Sequence, residues 1–200
     1  MALSIDPLTP ERLPEWLAFF DGTAFADNPD WGTCYCRVFL LGGGGREAWD
    51  RACATPGENR AAMCDRILAG QVDGLLARRD GQVAGWTQFG PSSRFHPPLG
   101  PLQPNDPGIA SIVCFVVAPA HRRTGVARAL LRAAVARLAE AGFSAVDARP
   151  RAAADDVAEM FTGPLALYLS EGFVPQESAN GRIRVRRSLL AEASAGGAPA

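Results

Sequence analysis

The sequence contains no lysine, and all 20 of its basic residues are arginine. A chain rich in alanine, glycine and proline whose only basic residue is arginine is typical of a GC-rich bacterial genome. The absence of lysine also excludes acylation of the chain's own side-chain amines, because arginine stays protonated at any working pH. The N-terminal amine is the one amine of the chain that could be acylated.

An excess of charge of one sign is also missing. The 20 arginines are balanced by 21 acidic residues, which gives a formal net charge of −1. A dedicated nucleic-acid-binding protein normally carries a basic face, so we expect no nucleic-acid partner. No apolar run reaches the roughly 20 residues of a membrane span, and the first residues do not form a secretory signal pattern. We therefore expect a soluble, cytoplasmic protein that binds no membrane.

Cysteine is too sparse for a disulfide framework and too irregularly spaced for a familiar zinc site. The five cysteines are an odd number, and their spacings match none of the common zinc motifs. We interpret them as reduced thiols that pack in the core or line a substrate site, and we expect no metal. One alternative stays open, in which the Cys34-x-Cys36 pair begins a metal site with Cys53 and Cys64.

The length and composition of the chain predict one domain. A chain of 200 residues, of which 48% are hydrophobic, is long enough to bury one substantial core. We expect this domain to cover residues 1–190. The small, polar and aperiodic residues 191–200 predict a disordered tail.

The first half of the chain predicts short helices followed by a hairpin. Thr55 and Glu58 have the spacing of a capping box, which indicates a helix start. Asp80-Gly81 favours a two-residue hairpin turn, because both residues tolerate a positive φ. The four glycines at residues 42–45 indicate a flexible linker. Together these features predict helices over residues 10–20, 46–54 and 58–68, and strands over residues 4–8, 72–79 and 83–89.

The second half predicts a strand-helix-strand unit with a parallel strand pair. Residues 109–117 are almost continuously apolar, as expected of a central strand that is covered on both faces. Pro119 ends this strand, and Gly142 ends the following helix. Residues 91–107 are too rich in proline and glycine for regular structure and predict a long loop. The remaining predictions are helices over residues 125–141 and 164–170, and strands over residues 145–149, 173–177 and 184–188.

The turn between the central strand and its helix has the composition of an anion site. Unpaired N–H groups in the first turn of a helix converge on one point, and the helix dipole favours negative charge there. Arg122, Arg123 and Arg128 surround this helix start, where cations are unfavourable unless an anion lies between them. Gly125 and Ala127 are small enough to let a phosphate approach the backbone. A solvated basic cap without a ligand is the alternative.

The spacing Val117-x-Pro119-x-x-Arg122-x-x-Gly125-x-Ala127 resembles the acyl-CoA-binding signature of the GNAT acyltransferases. The resemblance covers nearly the whole chain, and it implies an α/β (α+β) fold with a mixed, mostly antiparallel central sheet and flanking helices. It also implies acetyl-CoA as the acyl donor. The resemblance implies that main-chain groups of Phe115, Val116 and Val117 bind the pantetheine arm. The pyrophosphate is then bound by the backbone of Arg122, Arg123, Thr124, Gly125, Val126 and Ala127.

A second signature places a tyrosine close to the expected reaction centre. Three residues separate Tyr168 from Gly172-Phe173, a spacing that resembles the last helix of GNAT proteins. In that family such a tyrosine lies near the sulfur of CoA and can protonate the departing thiolate, so the resemblance implies that Tyr168 is the general acid. A tyrosine between leucines on a helix also packs against a core, and that alternative stays open.

The sequence identifies neither a general base nor the acceptor. The central strand offers Ser111 and Cys114, but no glutamate. The acceptor amine could lose its proton through ordered water or arrive uncharged. We expect a small-molecule or peptide amine as acceptor and consider a homodimer possible. A non-catalytic acyl-CoA-binding or sensing module is the alternative function. Further polar side chains at plausible site edges are those of His96, Asp106, His121 and Asp147.

Overall fold

The computed structural model describes residues 2–42, 45–96, 106–151, 160–179 and 181–190. Within these residues, seven strands form one sheet with the order β1-β2-β3-β4-β5-β7-β6. All neighbouring strands are antiparallel except β4 and β5, which are parallel. The strands are β1 (Leu3–Pro7), β2 (Gly74–Arg79), β3 (Gln82–Pro91), β4 (Ile109–Val117), β5 (Ala145–Ala148), β6 (Val174–Ala179) and β7 (Arg182–Ser188).

Helices cover both faces of this sheet. The α-helices among the described residues are α1 (Leu13–Ala18), α2 (Gly45–Ala54), α3 (Glu58–Leu68), α4 (Val126–Glu140) and α5 (Leu165–Ser170). One apolar cluster joins the sheet to α4 and α5, and we call this side the α4 face. A second cluster joins the sheet to α1 and α3, and we call this side the α1/α3 face. No helix in the described part of the chain is long and apolar enough to span a bilayer.

The central strand β4 is buried on both faces because nearly all of its side chains are apolar. Eight of its nine residues are buried, as the uninterrupted hydrophobic pattern predicts. The pairing register shifts by one residue between Cys114 and Ile112, opposite Gln88 and Phe89. This bulge directs both Val113 and Cys114 towards the α1/α3 face, while Phe115 packs on the α4 face.

Helix α4 can approach the sheet closely because β3 has a glycine, Gly85, at the contact. A Cβ atom added to Gly85 would lie 2.8 Å from Cγ1 of Val126 and 3.4 Å from Cδ1 of Leu130. Leu130 and Leu131 of α4 are fully buried, and each contributes about 1.5–3 kcal/mol through removal of apolar surface from water. The N-terminus of α4 is therefore fixed beside the carboxyl end of β4.

Strands β4 and β5 diverge after three paired residues. Their parallel register joins residues 109–111 of β4 to residues 145–147 of β5. Beyond Ser111 the two strands are no longer paired, and the chain after β5 is bridged at Arg151 to Pro164 and to Arg182 instead. Among the residues that the structure describes, the second half of β4 therefore has no strand partner on this side, and a cleft opens in the sheet.

Several predicted boundaries need correction. The capping box is wrong, because α3 begins after Gly57, which has a φ of 75°, and the Thr55 hydroxyl donates to the Arg51 carbonyl oxygen at 3.0 Å. The first predicted helix is divided into a 3-10 turn (Pro10–Arg12), α1 and one π-turn (Phe19–Thr23). Gly45 belongs to α2 rather than to the predicted glycine linker. The predicted tail and most of the predicted 91–107 loop lie outside the described residues.

Candidate active site

The turn between β4 and α4 already has the backbone of an anion-binding loop. Arg123 has a φ of 62° and Gly125 a φ of 88°, so both lie in the left-handed region. Gly125 is the N-cap of α4, and no side chain caps the N–H groups that follow it. A Cβ atom at Gly125 would have no protein atom within 4 Å, so the space beside this residue is open. The turn can accept an anion without rearrangement.

The arginines around this turn are partly neutralised by the protein itself. Arg122 forms an ion pair with Asp27 and donates from Nε to the Val117 carbonyl oxygen at 3.1 Å. The Arg122 guanidinium holds the pKa of Asp27 below its usual range. Arg128 forms an ion pair with Glu171 at 3.2 Å. Two of the three predicted phosphate-facing arginines therefore have carboxylate partners within the chain.

The cleft beside β4 is occupied by residues 160–164, which we call the wedge segment. The Phe115 N–H group points into the cleft and donates to the Phe161 carbonyl oxygen at 2.6 Å. The Phe161 ring packs against Trp31, with 5.7 Å between ring centroids, and against Phe39 at 6.1 Å. The Arg182 guanidinium lies 5.1 Å from the centroid of the same ring. One of the main-chain groups predicted to bind pantetheine is thus bonded to the wedge segment.

Tyr168 lies on the α4-face side of this cleft. Its side chain is 0% exposed, and its hydroxyl donates to the Thr162 carbonyl oxygen of the wedge segment at 2.7 Å. The ring stands edge-on to Phe115 and Phe173, with centroid distances of 6.4 Å and 5.1 Å. Burial raises the pKa of the phenol well above its ordinary value, so Tyr168 stays protonated at neutral pH. A protonated phenol can act as an acid and is unsuited to act as a base.

The opposite side of β4 carries thiols and hydroxyls rather than a carboxylate. The Cys36 and Cys114 sulfur atoms are 2.9 Å apart, and both side chains are buried. Burial is the main cause that raises the Cys36 pKa far above its usual value, so this thiol is protonated. The hydroxyls of Ser92 and Ser111 are 2.7 Å apart. None of these groups is a strong base at neutral pH.

The other polar candidates are held in structural contacts. Asp147 is buried on β5, where it accepts hydrogen bonds from Arg186 Nε at 2.6 Å and from Arg184 at 3.4 Å. Asp106 accepts from the Gly108 N–H group at 2.9 Å. Among the described residues, no three or more His, Cys, Asp or Glu side chains form a group that could hold a metal ion. Within that part of the chain, Cys36 contacts Cys114 of β4 instead of building the alternative metal site.

Sequence reasoning missed two features of the site, the wedge segment and Gln88. Gln88 is 1% exposed, and both polar atoms of its amide are without a hydrogen-bond partner among the described residues. The available sequence signal was a glutamine in the middle of an otherwise apolar strand segment, Gly85-Trp86-Thr87-Gln88-Phe89.

Comparison with known proteins identifies a family model and several similar folds. The model described as Acetyltransferase (GNAT) family matches residues 45–161. No curated protein sequence matches the chain. The aminoglycoside acetyltransferase AAC(6')-Ib in complex with coenzyme A superposes with a TM-score of 0.60 at 14% identity, over 94% of this chain and 95% of that chain.

Two further solved structures have the same fold. An N-acetyltransferase from Staphylococcus aureus Mu50 has a TM-score of 0.58 at 16% identity, over 95% of this chain and all of that chain (100%). The PaiA N-acetyltransferase from Thermoplasma acidophilum, solved with coenzyme A, has a TM-score of 0.57 at 10% identity, over 94% and 99% of the two chains. The predicted fold class is confirmed, since both the sheet and its flanking helices match.

Proposed function

This chain belongs to the acetyltransferase (GNAT) family, and we propose that it transfers the acetyl group of acetyl-CoA to an amine by direct attack on the thioester. One observation carries the proposal: an uncapped helix N-terminus stands directly beside a cleft into which a central-strand N–H group points. Such a site can hold a diphosphate and a thioester carbonyl at the same time. Two of the similar folds were solved with coenzyme A, which supports the choice of donor.

In this proposal the donor lies along β4 and the turn that follows it. The pyrophosphate is bound by the backbone of residues 122–127, and the pantetheine arm by main-chain groups of Phe115, Val116 and Val117. The thioester carbonyl then takes the place of the Phe161 carbonyl oxygen as acceptor for the Phe115 N–H group. The wedge segment must therefore move when the donor binds. The same movement releases the Tyr168 hydroxyl from Thr162.

The chemistry follows from these positions. The amine lone pair attacks the thioester carbon, and the negative charge that develops on the carbonyl oxygen is stabilised by the Phe115 N–H group. The carbon–sulfur bond then breaks, and Tyr168 protonates the departing thiolate. The attacking nitrogen loses its proton to water, and Tyr168 regains one from solvent. No carboxylate base takes part, and the main contribution to the rate is the positioning of the two reactants.

The second candidate function is a non-catalytic acyl-CoA-binding module. Two observations favour it. No strong base lies beside β4 among the described residues, and the wedge segment is hydrogen-bonded to both Phe115 and Tyr168. Release of CoA from acetyl-CoA in the presence of a panel of primary amines separates the two functions. Amine-dependent CoA release supports the enzyme. CoA binding by calorimetry without release from any amine would support the binding module.

A further inference from the structure

Gln88 lies on the α1/α3 face of the sheet, next to the expected reaction centre. It is two residues after Trp86, whose ring is buried in the α1/α3-face cluster, so both side chains project from the same face of β3. Its partner across the strand pair is Cys114, which belongs to the same cluster. The next residue along β4 is Phe115, whose N–H group points into the donor cleft. Gln88 is thus one strand away from the thioester position.

The Gln88 amide is buried without a hydrogen-bond partner among the described residues, which is unfavourable for a side chain that only packs. Both Oε1 and Nε2 are unpartnered, and the residue is 1% exposed. An unsatisfied buried polar group lowers the stability of the fold. The neighbouring hydroxyls are paired, since Thr87 Oγ1 donates to the Cys114 carbonyl oxygen at 2.9 Å and Ser92 bonds to Ser111. The indole N–H groups of Trp16 and Trp86 in the same cluster are also without a partner among the described residues, but Gln88 is the side chain there that leaves both a donor and an acceptor unpaired. A ligand that pairs with this amide would remove the penalty.

The chemistry of the ligand follows from the amide and its surroundings. A carboxamide offers one acceptor and one donor, which another primary carboxamide matches with two hydrogen bonds because one of its N–H bonds lies on the same side as its carbonyl oxygen. A trans peptide unit has its N–H and C=O on opposite sides and can form only one of the two. Asp147 carries the one carboxylate, guanidinium or imidazole among the buried described residues, and it forms ion pairs with Arg184 and Arg186 of β7. A charged ligand group beside Gln88 would therefore lack a buried counter-charge. The site favours an uncharged amide.

The side chains on this face of β4 limit how basic the acceptor amine can be, because they are thiols and hydroxyls rather than a carboxylate base. A side-chain amine of the lysine type has a pKa of about 10.4 and is almost fully protonated at neutral pH, whereas an α-amine has a pKa of about 7.7–8.0. Burial lowers the pKa of an amine further. An α-amine can thus attack the thioester after losing its proton to water. A strongly basic amine would require a base that this face does not supply.

We propose that Gln88 binds the acceptor through a carboxamide adjacent to the α-amine that is acetylated, an assignment that depends on the acetyl transfer proposed above. The acceptor class is an α-amino primary carboxamide, the chemistry of amino-acid amides, whereas the trans peptide unit after the first residue of a peptide offers Gln88 only one of the two hydrogen bonds. Gln88 Nε2 donates to the carbonyl oxygen of the acceptor, and Gln88 Oε1 accepts from its N–H group. The amine is then held a few bonds away, near the thioester carbon.

Paired acceptors and a nearly isosteric variant test this assignment. L-Phenylalaninamide and phenethylamine differ only by the carboxamide, and kcat/KM is measured for each with acetyl-CoA. The quantity compared is the kcat/KM for L-phenylalaninamide divided by that for phenethylamine. We expect Gln88→Met to lower this ratio by about ten-fold or more, because two hydrogen bonds are lost. The two acceptors differ in amine pKa, but this difference is the same for both proteins and cancels when the ratio for Gln88→Met is compared with that for the wild type. A peptide beginning with phenylalanine shows whether free amides or peptide N-termini are preferred.

The stability of the variant gives a second, opposite readout. Gln88→Met removes an unpaired buried amide, so its melting temperature should rise while amide selectivity falls. Gln82→Met makes the same exchange at the exposed start of β3 and should change neither quantity. Acetylation of amines with an unchanged ratio in Gln88→Met would overturn the assignment and leave the proposed function intact.

Binding keeps the assignment testable if no amine is acetylated, a result that would overturn the proposed function itself. L-Phenylalaninamide should then still raise the melting temperature of the wild-type protein in the presence of CoA. It should not raise that of Gln88→Met. Equal shifts in the two proteins, or no shift in either, would overturn the role of Gln88.

Discussion

The turn after β4 and the cleft beside β4 differ in how closely their structure matches what acetyl-CoA requires. In the turn, Arg123 and Gly125 already have the left-handed backbone that leaves the following N–H groups open. In the cleft, the Phe115 N–H group is bonded to Phe161, and Tyr168 is bonded to Thr162. In the binding mode proposed above, the turn therefore needs no rearrangement to bind the diphosphate, whereas the cleft must rearrange to bind the thioester. Binding energy from the diphosphate can be used to displace the wedge segment.

The largest expected effect is on the turn. Gly125→Glu should weaken CoA binding by at least about a hundred-fold, because the carboxylate would lie in the anion site and repel the diphosphate. The positive φ of Gly125 adds backbone strain of about 1–2 kcal/mol for any other residue. Isothermal calorimetry with CoA measures the affinity, and circular dichroism measures the stability.

Gly125→Ala is the matched control for this substitution. It carries the same backbone strain without the negative charge, so it should lose stability to a similar extent and retain more of the CoA affinity. Undiminished CoA affinity in a folded Gly125→Glu protein would place the donor elsewhere and contradict the proposal that this turn binds the diphosphate.

The next effect concerns catalysis in the cleft. Tyr168→Phe should lower turnover by about ten- to a thousand-fold with little loss of CoA affinity, since the thiolate loses its proton donor and the ring keeps its packing. The lost hydrogen bond to Thr162 should reduce stability by about 1 kcal/mol. Stopped-flow measurement of CoA release tests this when chemistry limits the rate.

Tyr35→Phe is the control, because Tyr35 is the other of the two tyrosines and its hydroxyl donates to Asp21 at an exposed position. It should leave turnover unchanged. Equal turnover in Tyr168→Phe and wild type would assign Tyr168 to packing alone.

A smaller effect is expected from the wedge segment itself. Phe161→Ala removes ring contacts with Trp31 and Phe39, so the occupied cleft becomes less stable. We expect CoA to bind about two- to ten-fold more tightly, because less free energy is needed to displace the segment. The melting temperature should fall. Phe143→Ala also removes a partly buried ring from a core cluster, but it should lower stability without raising CoA affinity. Weaker CoA binding by Phe161→Ala would contradict displacement of the segment.

The same contrast explains what could be predicted from the sequence. The turn is formed by consecutive residues, so its arginines, Gly125 and Ala127 appear as a readable motif. The central strand and its parallel partner were also predicted, because uninterrupted hydrophobicity marks a buried strand. Contacts such as Phe115 with Phe161 join residues far apart in sequence, and no local pattern encodes them. Gln88 was missed because both faces of β3 are buried by helices that lie elsewhere in the sequence, which no local pattern in β3 encodes. The predicted start of α3 was wrong because the helix starts after the left-handed backbone of Gly57 and has no side-chain cap.

The smallest expected effect lies at the junction between the turn and the loop after α1. Asp27 forms an ion pair with Arg122, and 45% of its side chain is exposed. Asp27→Asn should strengthen CoA binding by about two- to five-fold at low salt, because an exposed ion pair contributes about 0.2–1 kcal/mol. Removal of the carboxylate frees Arg122 to face the diphosphate and also removes a negative charge near it. Calorimetric titration with CoA at two salt concentrations measures both effects.

The salt dependence and a second variant distinguish a local contact from a general change in charge. Asp30→Asn alters the net charge equally at an exposed position three residues further along the chain, and it should change CoA affinity less than Asp27→Asn does. At an ionic strength near 1 M the Debye length falls to about 3 Å, so the gain in Asp27→Asn should shrink as the exposed charges are screened. Equal increases in CoA affinity in the two variants would show that Asp27 acts only through the net charge of the protein. Weaker binding in Asp27→Asn would show instead that the ion pair orients Arg122 for the diphosphate, and the turn would then depend on side-chain contacts as well as on its backbone.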